Sequence, residues 1–122
     1  MLNILLVEDN KENQLLISWI IEDAGYSLDI ADDAETGLAN MANKHYDLVL
    51  MDISLPGMNG KDAVKIIRKT PAYNAIPVIA ITAHTLQNEL DEINQCGFSA
   101  VQHKPVDEEL LLSTIQELTQ AK

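Results

Sequence analysis

The sequence predicts a doubly wound α/β sandwich around a five-stranded parallel sheet, and two patterns carry that prediction. Short unbroken apolar runs recur along the chain: Ile4 to Val7 (ILLV), Leu48 to Met51 (LVLM) and Val78 to Ile81 (VIAI). Runs of this length without polar alternation suit strands covered on both faces, as in a parallel sheet. Between them lie stretches whose apolar residues recur at helical spacing, so strand and helix patterns alternate from end to end.

The first strand is Ile4 to Val7. A wide stripe of Leu15, Leu16, Trp19, Ile20 and Ala24 predicts the first helix and its buried face. Leu28 to Ala31 is interrupted by Asp29 and reads as an edge strand. Ala34, Leu38, Met41 and Ala42 make the second helix, with Asp32 or Asp33 placed to cap it. After the third strand, Leu48 to Met51, a helix carries Ala63, Val64, Ile66 and Ile67 behind Asn59 and Gly60. The fourth strand is Val78 to Ile81. The narrow stripe Leu86, Leu90 and Ile93 follows it and stops at Gly97, which makes this helix the loosest element. Ala100 to His103 is the other weak strand and the other edge. Leu111, Ile115 and Leu118 close the chain on a helix capped by Asp107. Connections this short permit only right-handed βαβ crossovers, which predicts the flavodoxin-like strand order 2-1-3-4-5.

Composition bounds the function. The chain has 122 residues, which suits one domain spanning 1–122. Its 19 Asp and Glu against 8 Lys and Arg give a net charge of −11. That balance argues against nucleic-acid binding through a basic face and against attraction to an anionic membrane. One cysteine, Cys96, makes no internal disulfide and no Cys-rich metal site. No stretch approaches the length of a membrane span, and the N-terminus lacks a basic region and a cleavage site. The expectation is a soluble, cytoplasmic protein.

In such sheets function sits at the carboxyl ends of the strands near the switch in strand order. Glu8 and Asp9 follow strand one, Asp52 follows strand three, Thr82 follows strand four, and Lys104 and Pro105 follow strand five. In the expected order these strands are contiguous, so their ends converge on one cleft. Taken singly, each residue has an ordinary role: a helix-start acid pair, a turn aspartate, a cap threonine, a surface lysine. All of them at the correct ends of four strands is a different matter. Three clustered carboxylates raise one another's pKa unless a cation joins them, and an oxygen-only ligand set suits Mg2+. A carboxylate nucleophile, Asp52, with a cation, an ammonium and a hydroxyl around it suits phosphoryl transfer onto the carboxylate. No GxGxxG or GxxxxGK[ST] follows strand one, which removes dinucleotide and P-loop readings. His45 and His103 read as ordinary surface or strand-edge residues without zinc-like spacing.

These segments, Leu6-Val7-Glu8-Asp9-Asn10, Leu50-Met51-Asp52-Ile53-Ser54-Leu55-Pro56-Gly57-Met58-Asn59-Gly60, Ile81-Thr82-Ala83 and Lys104-Pro105, resemble the receiver domains of response regulators in two-component signalling, over essentially the whole chain. The resemblance implies that Asp52 accepts a phosphoryl group from a phosphohistidine of a histidine kinase or phosphotransfer protein. It implies Mg2+ held by Asp9 directly, by Glu8 through water, by Asp52 and by the Ser54 carbonyl. Thr82, the Ala83 N–H and Lys104 would touch phosphoryl oxygens, and the Lys104–Pro105 bond would be cis. The output would be a protein-binding face made by helix four, strand five and helix five, near Glu89, Asp91, Glu92, Glu108 and Glu109, without direct DNA contact. The product would be a switch protein, not an enzyme, apart from slow self-dephosphorylation. The resemblance implies that the positions held here by Ser54 and His84 tune that loss.

One departure concerns transmission: where the family usually has Tyr or Phe, three residues before the lysine, this chain has Val101, too short to swing as a switch. Three alternatives remain in view. A haloacid-dehalogenase-type phosphatase also uses an Asp nucleophile with Mg2+, but it needs a second Asp two residues on, where this chain has Ser54. A scaffold-only receiver is opposed by the intact Asp52, Thr82 and Lys104. Met1 lies just before strand one and Lys122 just after the last helix, which suits a stand-alone receiver and equally one trimmed from a hybrid histidine kinase.

Overall fold

The structure, a computed structural model, describes residues 2–83 and 87–119. Its elements alternate strictly: β1 (Asn3–Val7), α1 (Lys11–Asp23), β2 (Ser27–Ala31), α2 (Ala34–Asn43), β3 (Leu48–Asp52), α3 (Gly60–Lys69), β4 (Val78–Thr82), α4 (Gln87–Gln95), β5 (Ala100–His103) and α5 (Glu108–Thr119). The strands form one parallel sheet in the order β2-β1-β3-β4-β5, with β2 and β5 at the edges.

Because strand side chains alternate in direction, each apolar run feeds two cores. Leu5, Val7, Val49, Met51 and Val78 pack with Ala34 and Met41 of α2 and with Ala63, Val64 and Ile67 of α3. Ile4, Leu6, Leu48, Leu50, Ile79 and Ile81 pack on the other side with Ile17, Ile20 and Ile21 of α1 and with Leu111 and Ile115 of α5. Ile53, Ala80 and Ile93 form a smaller cluster beneath α4, joined by Phe98 and Val101. No helix among the described residues is long and apolar enough to cross a membrane.

Helix starts follow the expected chemistry, in which a side-chain oxygen accepts an otherwise unpaired N–H. Asp33, rather than Asp32, caps α2 by accepting from Thr36 N at 2.7 Å. Asn59 caps α3, and Asp107 accepts from Leu110 N at the start of α5. Gly97 follows α4 with φ +115°, a backbone region that favours glycine. Leu86 and His84 lie outside the described residues.

The expected face of α1 needs correction. Its buried residues are Gln14, Ile17, Ile20 and Ile21, whereas Leu15 and Trp19 are 74% and 72% exposed and Leu16 is 36% exposed. The helix carries two overlapping apolar stripes, and the sheet takes the isoleucine one. Ala24, assigned to the buried stripe, is the exposed C-cap. On α2, Ala42 is exposed and Gly37 is buried instead. Ile66 of α3 likewise faces outward at 39% exposure, beside the buried Ala63, Val64 and Ile67.

Candidate functional site

The sheet register brings the carboxyl ends of β1, β3, β4 and β5 into one cleft, as the contiguous strand order requires. Asp52 is the last residue of β3, paired with Ile81, and Thr82 closes β4 opposite His103. Glu8 continues β1 by one residue: its N–H donates to the Ala31 carbonyl at 3.0 Å. The Lys104 N–H donates to the Thr82 carbonyl at 2.8 Å, which holds the chain leaving β5 against the end of β4. The Lys104–Pro105 bond is cis.

Asp52 is 2% exposed. Its Oδ1 accepts from the Ser54 N–H at 3.0 Å, and its Oδ2 accepts from Lys104 Nζ at 3.1 Å. The same ammonium lies 3.5 Å from Glu8 Oε1. Glu8 is fully buried; its Oε2 accepts from the Asn10 N–H at 3.1 Å, and Oε1 accepts no hydrogen bond among the described residues. Asp9 is exposed at the cleft mouth, and one carboxylate oxygen from each of Glu8, Asp9 and Asp52 lies within 4.8 Å of the others. Burial raises the Glu8 pKa from 4.5 to about 7, and the neighbouring Asp52 carboxylate adds to the rise against the pull of the Asn10 N–H and Lys104.

That arrangement is short of positive charge. One ammonium serves two buried carboxylates while a third stands alongside, and a buried carboxylate oxygen without a donor is costly. An oxygen-only set with an open, solvent-facing side fits a hard cation that keeps part of its water shell. The residues present therefore fit Mg2+.

Of the residues singled out from sequence, Glu8, Asp9, Asp52 and Lys104 meet in the cleft. Thr82 is buried at its wall, Ala83 is the exposed residue just beyond, and Ser54 presents its N–H to Asp52 while remaining exposed. His45 is exposed and pairs with Asp47, and His103 is exposed. Val101 is half-buried against the cluster of Ile53, Ala80 and Ile93, where Phe98 of the α4–β5 connection packs as well.

Two residues with work at the site escaped the sequence reading. Gln14 is buried in α1 and donates from Nε2 to the Glu8 carbonyl and to Asp32 Oδ1. A polar residue in register with Ile17 and Ile21 was the available signal. Gly60 reads from sequence as a helix start and as the end of the Asp52 segment, without a contact to the site, yet a Cβ there would collide with the Asp52 carbonyl oxygen and stand 3.0 Å from Ile53 Cα. A separate groove of about 630 Å³, lined by Lys44, His45, Asp47 and Tyr73 among others, opens at the amino ends of β3 and β4. It lies at the opposite end of the strands from the acids.

The sequence profile of the response regulator receiver domain matches residues 4–116, and the chain belongs to that family. It is 32% identical over 119 residues to the sensor protein GacS of Pseudomonas syringae pv. syringae, covering 95% of this chain and 13% of that protein. It is also 32% identical over 110 residues to the signal transduction histidine-protein kinase BarA of Escherichia coli K12, covering 90% of this chain and 12% of that one. The chain thus spans a small fraction of the length of these curated relatives. Among solved structures, the receiver domain of the sensor histidine kinase PA1611 from Pseudomonas aeruginosa superposes with a TM-score of 0.92 at 31% identity, covering 98% of each chain. In that structure a magnesium ion is coordinated in the active-site cleft. The chemotaxis protein CheY4 of Vibrio cholerae gives a TM-score of 0.90 at 29% identity, covering 97% of this chain and 98% of that one. The five-stranded 2-1-3-4-5 sheet with five helices is the flavodoxin-like fold of these receivers.

Proposed function

We propose that this receiver takes a phosphoryl group from a phosphohistidine onto Asp52 in a Mg2+-dependent phosphorelay, and that the modification switches a protein-binding surface. The observation that carries the reading is Asp52 itself, buried at the end of β3, 3.1 Å from Lys104 Nζ and grouped with Glu8 and Asp9. An Asp52 oxygen attacks phosphorus, the O–P bond forms as the P–N bond breaks, and the imidazole nitrogen keeps the bonding pair. Glu8, Asp9, Asp52 and the Ser54 carbonyl would hold Mg2+, which neutralises charge on the transferring oxygens. Lys104 and the Thr82 hydroxyl face the new phosphoryl oxygens as donors, with the Ala83 N–H beside them. Small Ala83 leaves room for the group.

The partner in this reading is a histidine kinase or a phosphotransfer protein. Leu15, Leu16 and Trp19 stand exposed on the outer face of α1, the helix that follows the acidic pair, between Glu12 and Glu22. That surface complements a helix with an apolar stripe and flanking Lys or Arg. The output surface is the α4–β5–α5 face, where Asp91, Glu92, Glu108 and Glu109 are exposed and favour a protein over DNA. A cytoplasmic setting suits a donor charged by ATP. Stoichiometric labelling rather than turnover follows from Ser54 at the position where a haloacid-dehalogenase phosphatase carries its acid.

Incubation with acetyl phosphate and Mg2+ tests the reading by intact mass and peptide mapping. One phosphoryl group per chain, on Asp52 and absent from Asp52→Ala, is expected. Labelling retained in Asp52→Ala overturns the nucleophile, and repeated turnover of a small phosphate ester favours the phosphatase.

A further inference from the structure

We propose that Gln14 is a positioning residue for the acidic site, a buried amide that sets the geometry of the Glu8–Asp9 turn from the back of α1. The inference rests on the phosphoacceptor reading and extends it to a residue outside the cleft.

The Glu8 backbone is held on both sides. Its N–H donates to the Ala31 carbonyl at 3.0 Å, and its carbonyl accepts from Gln14 Nε2 at 2.5 Å. Both peptide planes flanking the Glu8 Cα are therefore pinned, which fixes the direction of the Glu8 side chain and the starting point of Asp9. The second Gln14 proton goes to Asp32 Oδ1 at 2.7 Å, on the turn between β2 and α2. Lys11 Nζ approaches the same oxygen at 3.2 Å. Both neighbours of the amide nitrogen are oxygens, so only the NH2 end fits there; an amide oxygen would face two acceptors.

Gln14 is 8% exposed, in register with Ile17 and Ile21 on the buried face of α1. A glutamine on an apolar face costs burial of a polar group unless its donors are used, and here both are. The amide thereby links three segments: the turn carrying the acids, the helix that follows it, and the turn after the edge strand. Through it, β2, which carries no site residue of its own, reaches the acidic cleft. Removing the amide frees the Glu8 carbonyl to rotate, and the three carboxylates lose their common spacing.

The test uses the full chain and three substitutions outside the cleft. Gln14→Met keeps the side-chain length without donors, Gln14→Glu replaces the donors by a negative charge, and Asp32→Ala removes only the exposed anchor. Mg2+ affinity is measured by calorimetry, and amide exchange at Asn10, which donates to Glu8 Oε2, is followed in chelator-treated protein. Gln14→Met is expected to weaken Mg2+ about tenfold, in line with losses at partners that orient metal ligands, and to speed Asn10 exchange. Gln14→Glu should also weaken Mg2+, although added negative charge by itself would strengthen it. Asp32→Ala, a surface change that spares the core, should weaken Mg2+ by a smaller factor and keeps the test decisive if the Gln14 variants unfold. Wild-type Mg2+ binding with unchanged affinity in a folded Gln14→Met, or unchanged affinity in Asp32→Ala where the Gln14 variants do not fold, overturns the assignment of Gln14. Absence of Mg2+ binding by the wild type overturns the site reading and this inference together.

Discussion

Glu8 should make the stability of the metal-free protein fall as pH rises, contrary to the usual behaviour of a carboxylate. In the unfolded chain Glu8 releases its proton near 4.5; in the folded chain burial and Asp52 hold it until about 7. Between those values the folded state binds more protons than the unfolded state, so stability is full below about pH 4.5 and is lost up to about pH 7. At about 1.36 kcal/mol per pH unit, the interval amounts to about 3 kcal/mol. Asp29, Asp32, Asp33 and Glu92 have lowered pKa values through hydrogen bonds with Lys44 and Tyr46, with Gln14 and Lys11, with Thr36 and with Lys61 respectively. Their contributions are complete above the ordinary carboxylate range and are lost only on further acidification, so they lie below the Glu8 window. Urea unfolding with chelator present, at pH 5, 6, 7 and 8, measures the effect. Glu8→Gln, which keeps an acceptor for the Asn10 N–H but cannot ionise, isolates it. The wild type should lose about 2 to 3 kcal/mol relative to Glu8→Gln across that range. At pH 8, Mg2+ at a hundred times its Kd should add about 2.7 kcal/mol to the wild type. A difference curve that is flat, or that rises with pH, refutes the argument that Glu8 is held protonated by its buried, acid-rich setting.

Lys104→Ala removes the one ammonium shared by Glu8 and Asp52; it should slow acetyl phosphate labelling at least about tenfold while tightening Mg2+ binding, because a competing cation is gone. Both changes are read in one titration of labelling rate against Mg2+. Gly60→Ala drives a methyl group into the Asp52 carbonyl and should cost about 2 to 3 kcal/mol in urea unfolding. Trp19→Ser should change stability by no more than about 0.5 kcal/mol, since the ring is exposed. It should slow transfer from a phosphohistidine protein about tenfold while leaving acetyl phosphate labelling unchanged, and equal effects on both donors would refute a docking role.

The alternation of apolar runs and helical stripes narrows the sheet to a few doubly wound orders, because short βαβ connections leave few topologies open, and the weak second and fifth strands favour the order found. Once that order was in hand, Glu8, Asp9, Asp52 and Lys104 could be placed at one cleft from their positions at strand ends, and the edge character of β2 and β5 followed from their interrupted runs. The same reasoning failed on α1. Leu15, Leu16 and Trp19 satisfy helical spacing as well as Ile17, Ile20 and Ile21 do, and periodicity alone does not choose between two overlapping faces. The choice falls to packing and hydrogen bonding: the isoleucine face also carries Gln14, whose amide finds the Glu8 carbonyl only when that face is turned inward.

The sequence by itself therefore determined which residues stand at the strand ends, since that depends on local pattern and on chain direction. Only the tertiary structure decided how Glu8 is protonated and how the site is held. The raised pKa of Glu8 comes from burial and from Asp52, which lies 44 residues away in the chain. The restraint from Gln14 and the space left by Gly60 likewise arise where distant segments meet. Distances, desolvation and neighbouring charges belong to groups brought together by folding, and no one-dimensional spacing encodes them.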